Sequence, residues 1–414
     1  MPLTYTATLE VPILMKILAE RINKIAPSPT MAVTARAREL KAAGKDIIGL
    51  GAGEPDFDTP EHVKEAAVKA LADGYTKYTD VPGSIELREA ICNKFQRENS
   101  LHYTPDQIQV GCGGKQNIFN AIVATIEEGD EVIVPAPYWV SYPDIVLLAG
   151  GNPIVLPCSI ENNFKINPEQ LDAVITPKTK WLILNSPSNP TGAAYTKEEI
   201  KGLAKVLVQH PHVWIMTDDI YEHILYDGFE FSTIAEVEPQ LYDRTLTLNG
   251  LSKAFSMTGW RVGYAAGPVG LIKAMNKIQS QSTSHTSSIS QAASIAALNG
   301  PMDFLVERNQ VFMERRDLVV EALSSIKGFK CLKPEGAFYV YPDCSGVIGK
   351  KSPEGHEIKD DSDLATYLLE AAGVAVVFGE AFGLSPFFRI SYATGTDLLE
   401  DACQRIAEAC SDLK

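Results

Sequence analysis

The chain lacks the usual sequence marks of a metal site and of a disulfide framework. Its seven cysteines are an odd number with no pair spaced as CxxC, and no HExxH segment occurs among its seven histidines. Structural zinc sites and disulfide-bonded scaffolds need closely spaced or paired residues of these types. We therefore expect no metal and a reducing compartment.

Long apolar runs and an excess of positive charge are also absent. The one long uncharged stretch, residues 278–302, is rich in Ser, Thr and Gln, which would be costly in lipid. Glu10 and Lys16 bound the short apolar run at residues 11–15, which does not fit a signal peptide. The net charge of -15 would repel nucleic acid and anionic membranes. The sequence predicts a cytoplasmic protein that binds neither nucleic acid nor a membrane.

The composition is that of a folded protein, with 45% hydrophobic and 21% charged residues in a chain of 414 residues. That length is sufficient for two or three domains. Between about residues 60 and 300, short apolar runs alternate with helix-like stretches, which predicts an α/β domain with a parallel sheet. The runs are residues 108–111, 131–134, 181–184, 213–217, 245–248 and 262–266. Ligands of such sheets bind beyond the carboxyl ends of the strands.

Two helix starts in this region carry capping signals. Thr59, followed by Pro60 and Glu61, is predicted to be an N-cap, and Thr196 with Glu199 has the spacing of a capping box. After about residue 300, a long helical stretch is followed by few strands, which is an α+β pattern. A second, smaller domain is therefore predicted to begin there.

Three segments that follow predicted strands carry side chains suited to catalysis. The turn GCGGK, which ends at Lys115, could bind phosphate through its free amides. Alternatively, its glycines could serve only the backbone conformation of a tight turn. Asp218 could hold a proton on a heteroaromatic nitrogen, or it could simply cap a helix. Lys253 could trap a carbonyl group if the nearby Arg261 lowered its pKa, and Arg261 could bind a phosphate. Each alone could also be an ordinary surface residue.

Three further side chains are compatible with the same site. Asn189 follows the apolar run at residues 181–184, and Trp139 offers a flat face on which a ring could stack, although it could equally fill the core. Arg389 is flanked by Phe387, Phe388 and Ile390 in a predicted strand, where a cation is costly unless it meets an anion. A salt bridge at the rim is the alternative for Arg389.

With these residues in view, the sequence resembles the class I aminotransferases of pyridoxal-phosphate fold type I. It is most similar to the bacterial branch that contains aspartate aminotransferase and the aspartate/prephenate aminotransferases. The resemblance covers nearly the whole chain. It rests on the segments PSPTMAVTARARELKAAGKDIIGLGAGEPDFDTP, KYTDVPG, VGCGGKQ, PYWVSYP, NSPSNPTG, TDDIYEHILY, SKAFSMTGWRVGY, GAFYVYP and FRISYATG.

The resemblance implies a fold and a domain organisation. A large cofactor-binding domain, residues 61–300, would hold a mainly parallel seven-stranded sheet between helices. A smaller α+β domain would span residues 301–414, and residues 1–60 would form an N-terminal arm and a segment joining the small domain. The implied reaction is transamination between L-aspartate and 2-oxoglutarate, giving oxaloacetate and L-glutamate, with prephenate as a possible additional acceptor.

The resemblance also implies a role for each catalytic residue. Lys253 would carry pyridoxal 5′-phosphate as an internal aldimine and then move the proton between the substrate Cα and the cofactor C4′. Asp218 would pair with the pyridinium nitrogen, while Tyr221 and Asn189 would hydrogen-bond the ring 3′ oxygen. Trp139 would stack on the ring.

The remaining implied contacts concern phosphate and substrate. Arg261 and the amides near Gly113 and Gly114 would bind the phosphate, helped by Tyr78 of a second subunit, which implies a homodimer with shared active sites. The α-carboxylate of the substrate would lie at the positions that Gly53 and Arg389 match, next to Trp139 and Asn189. These roles come from the resemblance alone.

Two departures bear on phosphate binding and specificity. Many relatives have a serine three residues before the lysine, where this chain has Gly250, so one phosphate contact is lost or replaced. In the enteric and animal aspartate enzymes, an arginine binds the second carboxylate of the substrate. Here no charged residue lies between Lys277 and Asp303 that could do so. In the branch that this chain resembles, Lys115 and Thr30 take that role, which favours dicarboxylic substrates.

Other functions compete with this interpretation. An aromatic or alanine-type aminotransferase, or a C–S β-lyase, would share the core residues and differ only in the distal pocket. An aminotransferase-like sensor in a DNA-binding regulator would need a basic helix-turn-helix of about 60 residues before the fold. The resemblance begins near residue 20, which makes the regulator a remote alternative.

Overall fold

The computed structural model describes residues 17–414. The apolar run at residues 11–15, which is predicted not to be part of a signal peptide, lies outside this range. Among the described residues, we find no helix with the length and apolar character needed to cross a bilayer.

Seven strands form the central sheet, in the order β2-β8-β7-β6-β5-β3-β4. Strand β8 runs antiparallel to both of its neighbours, and the other neighbouring strands are parallel. The predicted α/β class and mainly parallel sheet are therefore confirmed. The strands of the described chain are β1 (Ile48–Gly49), β2 (Ile108–Gly111), β3 (Glu131–Ala136), β4 (Asn152–Pro157), β5 (Thr179–Asn185), β6 (Trp214–Asp218), β7 (Thr245–Gly250), β8 (Gly263–Ala266), β9 (Tyr339–Val340), β10 (Val374–Ala375), β11 (Val377–Phe378) and β12 (Phe388–Ser391).

Each of the six predicted apolar runs overlaps a strand of this sheet to within one residue, but two details differ. Strand β4 is not among the predicted runs although its sequence NPIVLP is largely apolar, and as an edge strand its residues are exposed or only partly buried. Strand β8 is wholly buried yet antiparallel. A fully apolar run therefore indicates burial on both faces and leaves strand direction open.

Helices cover both faces of the sheet. On β5, Trp181 and Ile183 pack on one side with Ile118 and Ile122, whereas Leu182 and Leu184 pack on the other side, as the two-residue period of a strand requires. The α-helices of the described chain are α1 (Pro29–Ala42), α2 (Glu61–Ala72), α3 (Ile85–Asn99), α4 (Gly114–Thr125), α5 (Ser141–Leu148), α6 (Pro168–Val174), α7 (Lys197–Gln209), α8 (Ile234–Val237), α9 (Val269–Ser280), α10 (Ser288–Asn299), α11 (Phe304–Ser324), α12 (Asp361–Ala371) and α13 (Thr396–Ser411).

One predicted helix cap is confirmed and the other is wrong. The Thr196 hydroxyl accepts a hydrogen bond from the Glu199 amide at 3.3 Å, which completes the capping box of α7. Helix α2 begins at Glu61 with Pro60 as its N-cap residue. The Thr59 hydroxyl instead donates to the Ser256 carbonyl at 2.8 Å, because a tertiary contact takes the group that would have capped the helix.

The C-terminal part of the chain builds two smaller sheets. Strands β11, β12 and β9 form an antiparallel sheet, and β12 carries Arg389 as predicted. Strand β1 pairs in parallel with β10, which connects the segment before α2 to this part of the chain. Helices α11 and α13 share one buried core with these strands. The boundaries at residues 60 and 300 stay a prediction.

A buried ion pair joins α3 to the ends of two central strands. Lys94 is 1% exposed, donates to the Asn99 side chain at 2.7 Å and forms an ion pair with the buried Glu222. Glu222 also accepts hydrogen bonds from Asn99 at 2.9 Å and from Asn249 at 2.7 Å. Because Glu222 follows β6 and Asn249 lies in β7, this network fixes the chain next to the ends of both strands.

We expect Lys94→Met to lower the free energy of unfolding by about 3 to 5 kcal/mol, because the buried Glu222 would lose its lysine and keep only His223 at 3.7 Å and the two asparagine amides. Equilibrium urea unfolding would measure the loss. Lys69→Met is the matched control, since Lys69 forms an exposed pair with Asp73 and its removal should cost less than about 1 kcal/mol. Similar losses in the two variants would contradict this account.

Candidate active site

A cavity of about 500 Å³ opens beyond the carboxyl ends of β5 to β7. Its wall includes most of the residues that the sequence predicts for the site. Gly113 lies next to this wall, and Tyr78 lies outside it. The predicted residues on the wall are Thr30, Gly53, Gly114, Lys115, Trp139, Asn189, Asp218, Tyr221, Lys253, Arg261 and Arg389.

Lys253 lies three residues beyond the end of β7. Its amine donates a hydrogen bond to the Gly53 carbonyl oxygen at 2.5 Å. Burial and the positive charge of Arg389 lower the pKa of Lys253 to about 8. A lysine amine with a lowered pKa is neutral more often near neutral pH than an ordinary lysine, as a nucleophile or a general base requires.

Asp218 is the last residue of β6, and its carboxylate faces the cavity. The Tyr142 hydroxyl donates a hydrogen bond to Asp218 Oδ2 at 2.7 Å. Burial raises the pKa of Asp218, while the hydrogen bond from Tyr142 opposes this effect. The segment PYWVSYP contains Tyr142, but its link to Asp218 depends on the packing of α5 against the sheet, which no local pattern shows.

Tyr339 is a second residue of the site that no sequence motif predicts. Its ring is fully buried in β9, and its hydroxyl lies 2.8 Å from the Tyr221 hydroxyl. A Cβ atom on Gly53 would lie 2.6 Å from the Tyr339 hydroxyl, so a larger residue at position 53 would clash. The motif GAFYVYP contains Tyr339, but only the fold places its ring between Tyr221 and Gly53.

Arg389 is a buried cation whose neighbours are neutral. It is 2% exposed, and its guanidinium donates to Asn189 Oδ1 at 2.8 Å and to the Gly51 carbonyl at 2.6 Å. The guanidinium carbon lies 4.7 Å from the Tyr339 ring centroid and 4.9 Å from that of Phe382. Within residues 17–414 no carboxylate pairs with Arg389, so the rim salt bridge considered as an alternative does not occur. The arrangement is suited to an anionic ligand.

The glycine-rich turn approaches Arg261 closely. Gly113 has a φ of 89°, and a Cβ atom there would lie 2.4 Å from an Arg261 nitrogen. Arg261 donates to the carbonyl of Cys112 at 3.2 Å and to that of Thr258 at 3.0 Å. Helix α4 begins at Gly114, so its free amides and the guanidinium lie together, which is a favourable site for a phosphate.

Gly250 is tightly surrounded. A Cβ atom at this position would lie 3.0 Å from the Ile220 side chain and 3.1 Å from both the Gly263 Cα and the Val262 carbonyl. A serine here would require these neighbours to shift. The glycine is therefore explained by packing, and Ser252, two residues further along the chain, lies on the cavity wall.

Lys115 and Thr30 both reach the cavity, from α4 and α1. The Lys115 amine lies 4.8 Å from the centroid of the Trp139 ring. Burial and the charge of Arg261 lower the pKa of Lys115. Thr30 shares a hydrogen bond of 3.0 Å with Ser28. The amine therefore rests on an aromatic face and has no carboxylate partner within ion-pair distance in the described chain.

Tyr78 lies away from the cavity of its own chain. Its side chain is 92% exposed and makes an edge contact with His285 at a centroid distance of 5.6 Å. The predicted contact between Tyr78 and the phosphate therefore requires a second subunit.

Comparison with known proteins decides the family. The sequence profile of the family described as "Aminotransferase class I and II" matches residues 45–406. The chain belongs to this family. It is 61% identical over 399 residues to the aspartate/prephenate aminotransferase of Cereibacter sphaeroides, covering 96% of this chain and all of the relative. It is 58% identical to the aspartate aminotransferase of Rhizobium meliloti, covering 95% of this chain and 96% of the relative.

Solved structures of aminotransferases have the same fold. The aspartate aminotransferase of Rhizobium meliloti superimposes with a TM-score of 0.93 at 57% identity, covering 96% of this chain and 99% of that one. The Thermus thermophilus aspartate aminotransferase, solved with maleate, gives a TM-score of 0.89 at 46% identity, with coverages of 95% and 99%. The predicted resemblance and fold type are therefore confirmed.

We expect Lys253 in cofactor-free aminotransferase to titrate near pH 8 and Arg389→Gln to raise this pKa. Removing a nearby positive charge stabilises the charged amine, so the midpoint moves upward. Acetylation of Lys253 as a function of pH, followed by peptide mass spectrometry, would measure it. In urea-denatured protein the midpoint should lie at about 10.4. Arg36→Gln, which removes an exposed arginine paired with Glu39, is the control. An unchanged midpoint in Arg389→Gln would contradict the effect.

Proposed function

We propose that this aminotransferase transfers the amino group of L-aspartate to 2-oxoglutarate, forming oxaloacetate and L-glutamate, with pyridoxal 5′-phosphate as its cofactor. The observation that carries the proposal is the buried Arg389, which has no carboxylate partner among residues 17–414 and shares one cavity with Lys253 and Asp218. The names of the relatives from Cereibacter sphaeroides and Rhizobium meliloti support aspartate as the amino donor.

The residues of the cavity fit the proposed cofactor. The carboxylate of Asp218 would bind the ring nitrogen, and Tyr142, which donates to it, would fix its orientation. Trp139 would cover one face of the ring. Tyr221 and Asn189 would donate to the ring 3′ oxygen. Pyridoxal phosphate supplies a conjugated electron sink for the electron pair released at the substrate Cα.

The proposed phosphate site lies where α4 begins. The amide of Gly114 would donate to a phosphate oxygen, the amide of Gly113 would do so on leaving the Gly111 carbonyl to which it donates at 2.7 Å, and Arg261 would supply a fixed cation. Tyr78 of the partner subunit would complete the site in a homodimer, which agrees with its exposure in a single chain. We keep a cytoplasmic location as part of the proposal.

Lys253 would hold the cofactor and move the reacting proton. Its amine, with a pKa near 8, would accept the proton from the substrate Cα and donate it during the reverse half of the cycle. The hydrogen bond to the Gly53 carbonyl orients the amine toward the cavity. Enclosure of this site limits access of water to the reacting atoms.

Arg389 and Lys115 would each bind one of the two carboxylates of the substrate. The guanidinium of Arg389 would bind the α-carboxylate, next to Asn189 and Gly53, and this carboxylate would supply the missing counter-ion. Lys115, with Thr30 across the cavity, would bind the distal carboxylate after leaving the Trp139 ring. That the Thermus thermophilus structure contains maleate, a dicarboxylate, supports this arrangement.

Prephenate is a second candidate substrate, as the amino acceptor that yields arogenate. The relative from Cereibacter sphaeroides carries prephenate in its name. The specific observation that favours it is the position of the Lys115 amine, which lies on the face of the Trp139 ring in the cavity wall. A charged anchor beside an aromatic surface accommodates a ring with a carboxylate.

A panel of amino donors and keto acids would test the proposed function. We expect the purified protein with pyridoxal phosphate to convert aspartate and 2-oxoglutarate faster than alanine or an aromatic donor. The reason is that only a dicarboxylic substrate supplies partners for both Arg389 and Lys115. Prephenate with aspartate or glutamate belongs in the same panel. A preference for alanine, or cleavage of cystathionine without transamination, would contradict the proposal.

We expect Lys115→Ala to reduce kcat/KM for aspartate by more than tenfold and to affect an aromatic donor much less. The distal carboxylate would lose its cation in a partly desolvated pocket, a loss of about 2 to 5 kcal/mol. Steady-state kinetics with both donors would measure the difference.

The competing role for Lys115 is to neutralise the cofactor phosphate. That role predicts equal losses for every donor together with faster cofactor dissociation, so the cofactor must be measured alongside the kinetics. Equal losses with easy cofactor release would overturn the distal-carboxylate role.

A further inference from the structure

Tyr221 and Tyr339 form a pair of buried hydroxyls on the cavity wall. Their oxygens lie 2.8 Å apart, and the two residues are 2% and 0% exposed. Neither hydroxyl makes a hydrogen bond to any other residue between 17 and 414. The proposed function uses Tyr221 as a donor to the cofactor and leaves Tyr339 without a role.

The ring of Tyr339 is held from several directions. The guanidinium carbon of Arg389 lies 4.7 Å from its centroid, and the ring of Phe338 lies at the same distance. A Cβ atom on Gly53 would lie 2.6 Å from the Tyr339 hydroxyl, so this hydroxyl lies directly against the glycine backbone. These contacts leave the ring little freedom and keep its hydroxyl next to Tyr221.

The two hydroxyls have two protons between them. Burial raises the pKa of Tyr221 and that of Tyr339, so each phenol keeps its proton near neutral pH. A phenol has only one proton to donate. If Tyr221 donates its proton to the ring 3′ oxygen of the cofactor, the Tyr221 oxygen can only accept a hydrogen bond from Tyr339.

We propose that Tyr339 is a positioning residue, whose hydroxyl donates to Tyr221 and thereby directs the Tyr221 proton toward the ring 3′ oxygen of the cofactor. The inference rests on the proposed function, in which Tyr221 is that donor. A hydroxyl that also accepts a hydrogen bond is polarised and becomes a stronger donor. Removal of the Tyr339 hydroxyl should therefore weaken the bond from Tyr221 to the cofactor without abolishing it.

The visible absorption band of the bound cofactor would report this effect without turnover. Its titration follows the proton that the ring 3′ oxygen shares with the Lys253 nitrogen. A hydrogen bond donated to this oxygen stabilises its negative charge, which favours loss of the shared proton and lowers the midpoint. We expect Tyr339→Phe to raise the midpoint by about 0.3 pH unit and Tyr221→Phe to raise it further.

A double-mutant cycle would show whether Tyr339 acts through Tyr221. Tyr339→Phe keeps the ring and its contacts with Arg389, so the variant should fold and bind the cofactor. In the Tyr221→Phe background, Tyr339→Phe should add no further rise, because the hydroxyl through which it acts is already gone.

Tyr341→Phe is the matched control. Tyr341 is also buried and lies two residues further along the chain, but it is not on the cavity wall. Its hydroxyl donates to the carbonyls of Gly379 at 3.0 Å and Leu384 at 2.8 Å. We expect Tyr341→Phe to lower stability in urea at least as much as Tyr339→Phe and to leave the midpoint unchanged.

Three results would overturn the inference. These are an unchanged or lower midpoint in Tyr339→Phe, an equal rise from Tyr339→Phe with and without the Tyr221 hydroxyl, and an equal rise in Tyr341→Phe. Turnover of aspartate by the wild type tests the proposed function separately. Transamination without a shift in Tyr339→Phe would overturn this inference alone, and the expected midpoints in a protein that does not transaminate aspartate would overturn the proposed reaction alone.

Discussion

The active site depends on positive charge that is buried without a carboxylate partner from the described part of the chain. A buried guanidinium loses its hydration and must recover that free energy from its neighbours. Arg389 does so only in part, through the Asn189 amide, the Gly51 carbonyl and two aromatic rings. A bound carboxylate would complete its environment, and the same charge helps to lower the pKa of Lys253. One buried cation thus affects both anion binding and the state of the amine.

The parallel sheet explains why the other site residues meet. Asn185 and Asp218 are paired in register at the ends of β5 and β6, and Asp218 pairs with Leu248 of β7. Residues that follow these strands therefore emerge at one edge, although they are distant in sequence. The Lys94–Glu222 pair fixes the chain just beyond β6, next to Tyr221. A network outside the cavity thus supports the geometry within it.

Much of this arrangement could be predicted from local sequence, and the exceptions have physical reasons. Apolar runs located the central strands because burial on both faces leaves a clear pattern, but the direction of β8 depends on pairing. Thr59 carried a capping signal that a distant carbonyl outcompeted. Tyr142 and Tyr339 touch Asp218 and Tyr221 through contacts between remote segments, which no local pattern encodes. Motif and strand position together predict a shared site for Lys253, Asp218 and Arg389, and all three lie on the wall of one cavity.

The central claim is that the cavity holds pyridoxal phosphate through Lys253. The most direct measurement is borohydride reduction of the cofactor-loaded protein, which fixes a cofactor bound through a lysine, followed by peptide mapping. The account predicts one phosphopyridoxyl group per chain, on the peptide that contains Lys253. Labelling of Lys115 or another lysine, or no labelling of a protein that transaminates, would contradict it.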